Sequence, residues 1–417
     1  MPTPKKNSTV GPRARTAATL LLAVGLGVGL ALGVNALFGD PDPGPAADES
    51  GAASSIVALI AFMVVAGFLA LAVHELGHAI GGRLRGMRLG MLIVGPVHIQ
   101  REPDGRLGWR LNRKLLLAGG VVSSVPGSTR GLRRAMLSFI AGGPVTSIVA
   151  GLLVFVLYVR ADLADTLAAQ GPVQDALAAG VLFLGIVSVG IGFVTLLPIN
   201  QGAFVNDGKR ILKLLRPGAY ADAYAAVMAL GAYALAQVPP RDRDPDLVAQ
   251  AASLADGSHE DLAGRLAAHS DALHRDDVEA AGEHIRYLLD HRDAAYPPYR
   301  PVIDLAAAYF EAAYAGDAES ARSRLEGAGE SALLAFDPTV RTRTEGAVLL
   351  AEGDTEGASA KFSEAYAALE SEWNWGNEYT MAEIRRLCLE RGLGDPGGGR
   401  SAANACWASS DGAEGSP

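Results

Sequence analysis

Four stretches of this chain run without Asp, Glu, Lys or Arg for longer than a bilayer core requires. They are Thr16–Gly39, Gly51–Val73, Ala135–Val159 and Ala176–Asn206, of 24, 23, 25 and 31 residues. A helix crossing the hydrocarbon core needs about 20 such residues. In lipid, only helices and closed barrels satisfy every backbone polar group. Membrane helices are therefore expected over about 17–38, 55–80, 136–158 and 176–198. The composition agrees, with 19% charged and 49% hydrophobic residues. That excludes disorder as the dominant state and disfavours an ordinary soluble enzyme. The first apolar run, Ala17–Phe38, has 22 residues, longer than the roughly 7–15 of a signal peptide, so an uncleaved anchor is expected.

Direction follows from the basic residues in the connecting segments. Lys5, Lys6, Arg13 and Arg15 precede the first span, whereas Asp40–Ser50 carries acids and no base. Gly81–Arg134 holds eleven bases against Glu102 and Asp104. The third connection is acidic again, and Lys209, Arg210, Lys213 and Arg216 follow the fourth span. This alternation places both termini in the cytoplasm, in an integral protein of what the Ala-, Gly- and Arg-rich composition points to as a bacterial plasma membrane. The net charge of −9 argues against a nucleic-acid partner. Two cysteines, Cys388 and Cys406, make no disulfide framework.

The expected fold is a membrane all-α core of about four transmembrane helices with a small β-hairpin, followed by a soluble α-helical domain. Met91–Gln100 and Arg106–Leu111 flank the turn signal Pro103-Asp104-Gly105, placing the hairpin at about 88–112. Residues 1–15 form a basic cytoplasmic N-terminus and 16–216 the membrane core. From 217 to 391 the chain reads as cytoplasmic helices, and 392–417 as a disordered tail. Tyr309–Ala328 and Gly346–Ala365 look self-similar at an offset of 37, with Gly316 matching Gly353, Asp317 matching Asp354, Ala321 matching Ala358 and Leu325 matching Phe362. A weaker copy lies near Asp277–Leu289. The period is near that of tetratricopeptide repeats, with a generic helical bundle as the plainer alternative. Trp373 and Trp375 read as core packing.

At the cytoplasmic end of the second span stands His74-Glu75-Leu76-Gly77-His78. On a helix, residues four apart share a face, so both imidazoles can reach one zinc ion while Glu75 serves as general base on its water. Ionisable groups at membrane depth are costly and tend to be functional. A catalytic zinc takes three protein ligands and an open position. Asp207, the first charge after 31 uncharged residues, reaches the same side of the membrane and is the leading candidate for the third. His98, in the hairpin, is the remaining histidine outside the C-terminal region and reads as a surface strand residue. Gly77, Gly142, Gly143 and Ser147 would let helices approach closely.

These residues resemble the site-2 protease family of intramembrane zinc metalloproteases. The resemblance rests on HELGH at 74–78, Gly142-Gly143-Pro144, and Pro198 followed by Asn206-Asp207-Gly208, and covers roughly residues 55–215. It implies one zinc per chain on His74, His78 and Asp207, with Glu75 activating water. The implied reaction is hydrolysis of a peptide bond in or near a transmembrane segment of a membrane-protein substrate, as in regulated intramembrane proteolysis. Gly143, Pro144, Ser147, Thr195 and Pro198 would position that substrate, and the hairpin would present it as an added strand. The chain departs from the family pattern at Ser147 and Thr195, where Asn is frequent, and in the longer spacing from Pro198 to Asp207.

Two other readings compete. A catalytically weak or inactive membrane core could anchor the helical repeat as a binding protein for a cytoplasmic protein or peptide. A transporter component would need further intramembrane charge, and the spans carry none.

Overall fold

The computed structural model describes residues 49–102, 105–112, 119–168, 171–198, 200–201, 204–236, 238, 240–331, 333–334, 337–371 and 377–397. The expected span over 17–38, the turn residues Pro103 and Asp104, the two tryptophans and most of the tail lie outside them. Helix α1 (Glu49–Arg83) leads into strands β1 (Arg88–Val94), β2 (Val97–Arg101), β3 (Leu107–Leu111) and β4 (Val121–Val125). Then come α2 (Leu132–Arg160), α3 (Leu163–Ala168) and α4 (Pro172–Leu196), with a tight hairpin of β5 (Asn200–Gln201) and β6 (Phe204–Val205). Helices α5 (Asp207–Leu215), α6 (Ala219–Leu235), α7 (Pro245–Ala251), α8 (His259–His274) and α9 (Val278–Asp290) follow. The chain continues through α10 (Arg300–Phe310), α11 (Ala318–Gly327), α12 (Val340–Ala351), α13 (Thr355–Ser371) and α14 (Asn377–Glu390).

Among the described residues, three helical stretches are long and apolar enough to cross a membrane: Ile56–Arg83, Leu132–Arg160 and Val173–Leu196. At 1.5 Å per residue even the 24-residue stretch reaches about 36 Å, beyond the roughly 30 Å hydrocarbon core. Their burial pattern is inverted relative to a soluble protein. Val57, Val64, Phe68, Val149 and Phe193 are exposed, whereas Ser147 and Ser188 are buried. Lipid accounts for such apolar exteriors.

Contacts group the chain into two units, 1–77 with 143–195 and 78–142 with 196–417. In the first, small residues let helices meet backbone to backbone. A Cβ at Gly151 would lie 2.6 Å from the Gly185 carbonyl oxygen, and one at Gly192 would lie 2.8 Å from that of Pro144. Pro144 itself sits inside a continuous α2.

In the second unit the expected hairpin is part of a larger, four-stranded antiparallel sheet in the order β3-β2-β1-β4. Strands β2 and β3 pair antiparallel as expected, with Arg101 opposite Leu107. The apolar run Met91–Gln100, however, is two strands rather than one. Gly95, at φ +52°, and Pro96 fold it back, pairing Val94 with Val97. A proline cannot donate to a ladder and glycine takes the positive φ without steric cost, so the run breaks there. Strand β4 completes the sheet against β1.

Helices α8 and α9, α10 and α11, and α12 and α13 pack as successive pairs. The self-similar positions fall at equivalent places. Asp276, Gly316 and Gly353 each take positive φ before the second helix of a pair. The side chains of Asp277, Asp317 and Asp354 then accept from the backbone N–H three residues on, the geometry of an N-cap. Ala281, Ala321 and Ala358 are fully buried, with Ile285, Leu325 and Phe362 buried one turn later.

Candidate metal centre

His74 and His78 lie one turn apart near the C-terminal end of α1, and Asp207 is the first residue of α5. All three are buried, at 5%, 5% and 8% exposure. Their ligand-capable atoms lie within 4.8 Å of one another. His78 Nε2 stands 3.5 Å from Asp207 Oδ2. Two ligands on one tetrahedral zinc, each about 2.0–2.2 Å from it, are separated by about 3.4 Å, so the spacing suits a shared ion.

The imidazoles are oriented for the same task. His78 Nδ1 lies 2.9 Å from the Phe139 carbonyl oxygen. A carbonyl only accepts, so Nδ1 is the donor there, and Nε2 is the ring nitrogen that faces Asp207. His74 Nδ1 lies 3.0 Å from Ser147 Oγ, which is fully buried. Metal-binding histidines usually donate their other N–H to such a partner, which fixes the ring. Close helix approach makes the Phe139 contact reachable: a Cβ at Gly81 would lie 2.2 Å from the Ser138 carbonyl oxygen, and Ser138 Oγ donates to Gly81 O at 2.8 Å.

Asn206-Asp207-Gly208 divides its work. Asn206 caps α5 by accepting from Lys209 N at 3.3 Å, and its amide donates to the Leu197 carbonyl. A Cβ at position 208 would lie 1.8 Å from the Leu196 carbonyl oxygen. Glycine there is a steric requirement, and it lets the last residue of α4 lie directly against the start of α5. The β5–β6 hairpin takes up the long spacing between Pro198 and Asp207, pairing Asn200 with Val205.

The remaining expected residues are placed as follows. Glu75 is buried at 7% exposure beside His74. Ser147 Oγ lies against His74 Nδ1 at 3.0 Å. Gly143 and Pro144 are buried within α2, and Pro198 is exposed after α4. Thr195 Oγ1 donates to Gly192 O of its own helix at 3.3 Å. His98, on β2 opposite Arg110, accepts at Nδ1 from Arg110 Nε at 3.2 Å and is outside the metal-competent group. The partners that sequence reading missed are the Phe139 carbonyl, which has no side-chain signature, and Asn206, whose N-cap position was readable.

Ser147→Ala is expected to weaken metal binding about 10–100-fold, the usual range for outer partners of a ligand. Equilibrium dialysis of wild type and variant against buffered zinc measures it; equal affinity would detach Ser147 from the centre. No family model, curated protein or solved structure matches this chain.

Proposed function

We propose that this chain is an intramembrane zinc metalloprotease of the site-2 type. The observation that carries the reading is the buried His74, His78 and Asp207 group at the end of a membrane-length helix, with Glu75 beside it. Two imidazoles and one carboxylate make a three-ligand donor set of the kind catalytic zinc uses, which leaves a fourth position open. Zinc, when bound, supplies Lewis acidity for amide hydrolysis.

The chain's own residues supply the rest. His74, His78 and Asp207 hold the ion. Ser147 and the Phe139 carbonyl fix the imidazoles, and Glu75 takes a proton from the attacking water and returns it to the leaving amine. The substrate is a membrane protein whose transmembrane segment loosens enough to expose one peptide bond. Loosening in lipid is costly because backbone groups lose their partners. The helix pairs of the C-terminal part are read as a tetratricopeptide-like scaffold for a cytoplasmic protein or peptide. The charge alternation along the sequence supports cytoplasmic termini in a bacterial plasma membrane.

The test is metal removal. Full-length protein in liposomes with a panel of single-span substrates is expected to cleave at least one of them. Cleavage should stop when a chelator strips the zinc and return on zinc addition. Cleavage that persists after elemental analysis finds the chain metal-free would sink the proposal.

A further inference from the structure

Asp207 owes its position to α5, a helix of nine residues. Isolated helices shorter than about 12–15 residues are marginal in water, so whatever grips α5 sets where the carboxylate stands. Leu214 lies two turns after Asp207 on the same face and is fully buried. It shares a hydrophobic cluster with Phe139 and Ile140 of α2 and with Leu247 and Ala251 of α7. At the C-terminal end of α5, Arg133 Nε donates to Leu214 O at 2.6 Å and Arg133 Nη2 donates to Arg216 O at 2.8 Å. These are carbonyls of the kind a helix end leaves without partners.

A different face of α5 carries Lys213. Its ammonium pairs with Glu260 at the start of α8, the two side chains being 13% and 8% exposed. Lys213 Nζ also lies 5.1 Å from the centre of the Tyr224 ring. Burial pushes the Glu260 carboxyl up, but the hydrogen bond and charge of Lys213 outweigh it and hold the group below its ordinary value. Desolvation makes a buried pair poor evidence for stability, and its best-attested use is to select one geometry. Here the geometry selected is that of the helix bearing the third ligand.

We propose that the Lys213–Glu260 pair is a latch through which the C-terminal helices hold α5 in place and so set metal affinity at Asp207. Both are positioning residues, acting on the ion through α5. The inference rests on the metal-centre reading and is independent of proteolysis.

The test titrates the full-length chain in detergent with cobalt(II), whose visible absorption reports ligand geometry. Glu260→Gln is expected to weaken cobalt binding about tenfold and to alter the spectrum. The exchanged pair Lys213→Glu with Glu260→Lys is expected to recover both, which a merely structural contribution would not produce. Lys213→Met keeps the aliphatic stem over Tyr224 and carries the test if Glu260→Gln does not elute as wild type does. Wild-type affinity and spectrum in either folded single variant would overturn the latch. Failure of wild type itself to bind cobalt is a separate result, which would overturn the metal centre and the latch with it.

Discussion

Asp207→Ala, purified as the full-length chain in detergent, is expected to lose most of the zinc that wild type carries, and with it all cleavage. Changing a residue that merely supports a ligand costs about 10–100-fold in affinity. Losing a ligand should therefore exceed about 100-fold, because the site falls from three donors to two and gives up its only anion. The substitution is clean in this setting. Asn206 still caps α5 and Gly208 still clears the Leu196 carbonyl, so the helix keeps its start. Leu214, Arg133 and Lys213 still hold its far end. Elemental analysis reads the outcome directly. About one zinc per chain in wild type and an undiminished value in the variant would move the third ligand elsewhere. His98 is the first alternative, although its Nδ1 is already engaged by Arg110.

The metal-competent group was legible because its geometry is nearly one-dimensional. An i, i+4 pair on a helix is a local fact, and charge-free runs assign depth, so His74, His78 and Asp207 could be brought to one level before any packing was known. What the sequence could not carry was contact made by backbone. The Phe139 carbonyl that fixes His78 could belong to any residue type, and nothing at position 139 announces it. Ser147 was singled out through the family resemblance, and nothing in the sequence announced that its hydroxyl lies against His74 Nδ1.

Three of the four expected spans were legible as membrane-length helices, since an apolar run of bilayer length has few alternatives. The sheet was only half legible. Pro103-Asp104-Gly105 announced one turn, but Gly95-Pro96 inside an apolar run was passed over. Val121–Val125, five residues with serines at 123 and 124, gave no alternation to recognise. The helix pairs were visible through the matched Gly-Asp positions, whose positive φ and capping carboxylates are chemical requirements of that turn. Composition changes at Pro217, yet one hydrophobic cluster joins Phe139 and Leu214 to Leu247 and Ala268 across that change. Long-range cores of this kind leave no local pattern to read.

Glu75→Gln is expected to reduce the cleavage rate by about 10²–10⁴, the range that a positioned general base contributes, while zinc content stays at the wild-type level. Glutamine keeps the size of the buried side chain and removes its basicity, and Glu75 lies outside the ligand group. The variant therefore separates the proton-transfer step from metal binding, which Asp207→Ala cannot do because it loses both. A Glu75→Gln chain that also loses its zinc would make Glu75 a structural part of the centre instead of its base. Comparison with truncation after Pro217 decides between proteolysis and anchoring. If Glu75→Gln preserved the cellular function, that function would not be hydrolysis, and loss on truncation, which also removes Leu247 and Ala268 from the shared core, would fit an anchoring role. Loss of function in Glu75→Gln with zinc retained is the outcome that hydrolysis requires, since no anchoring function depends on the basicity of one buried carboxylate.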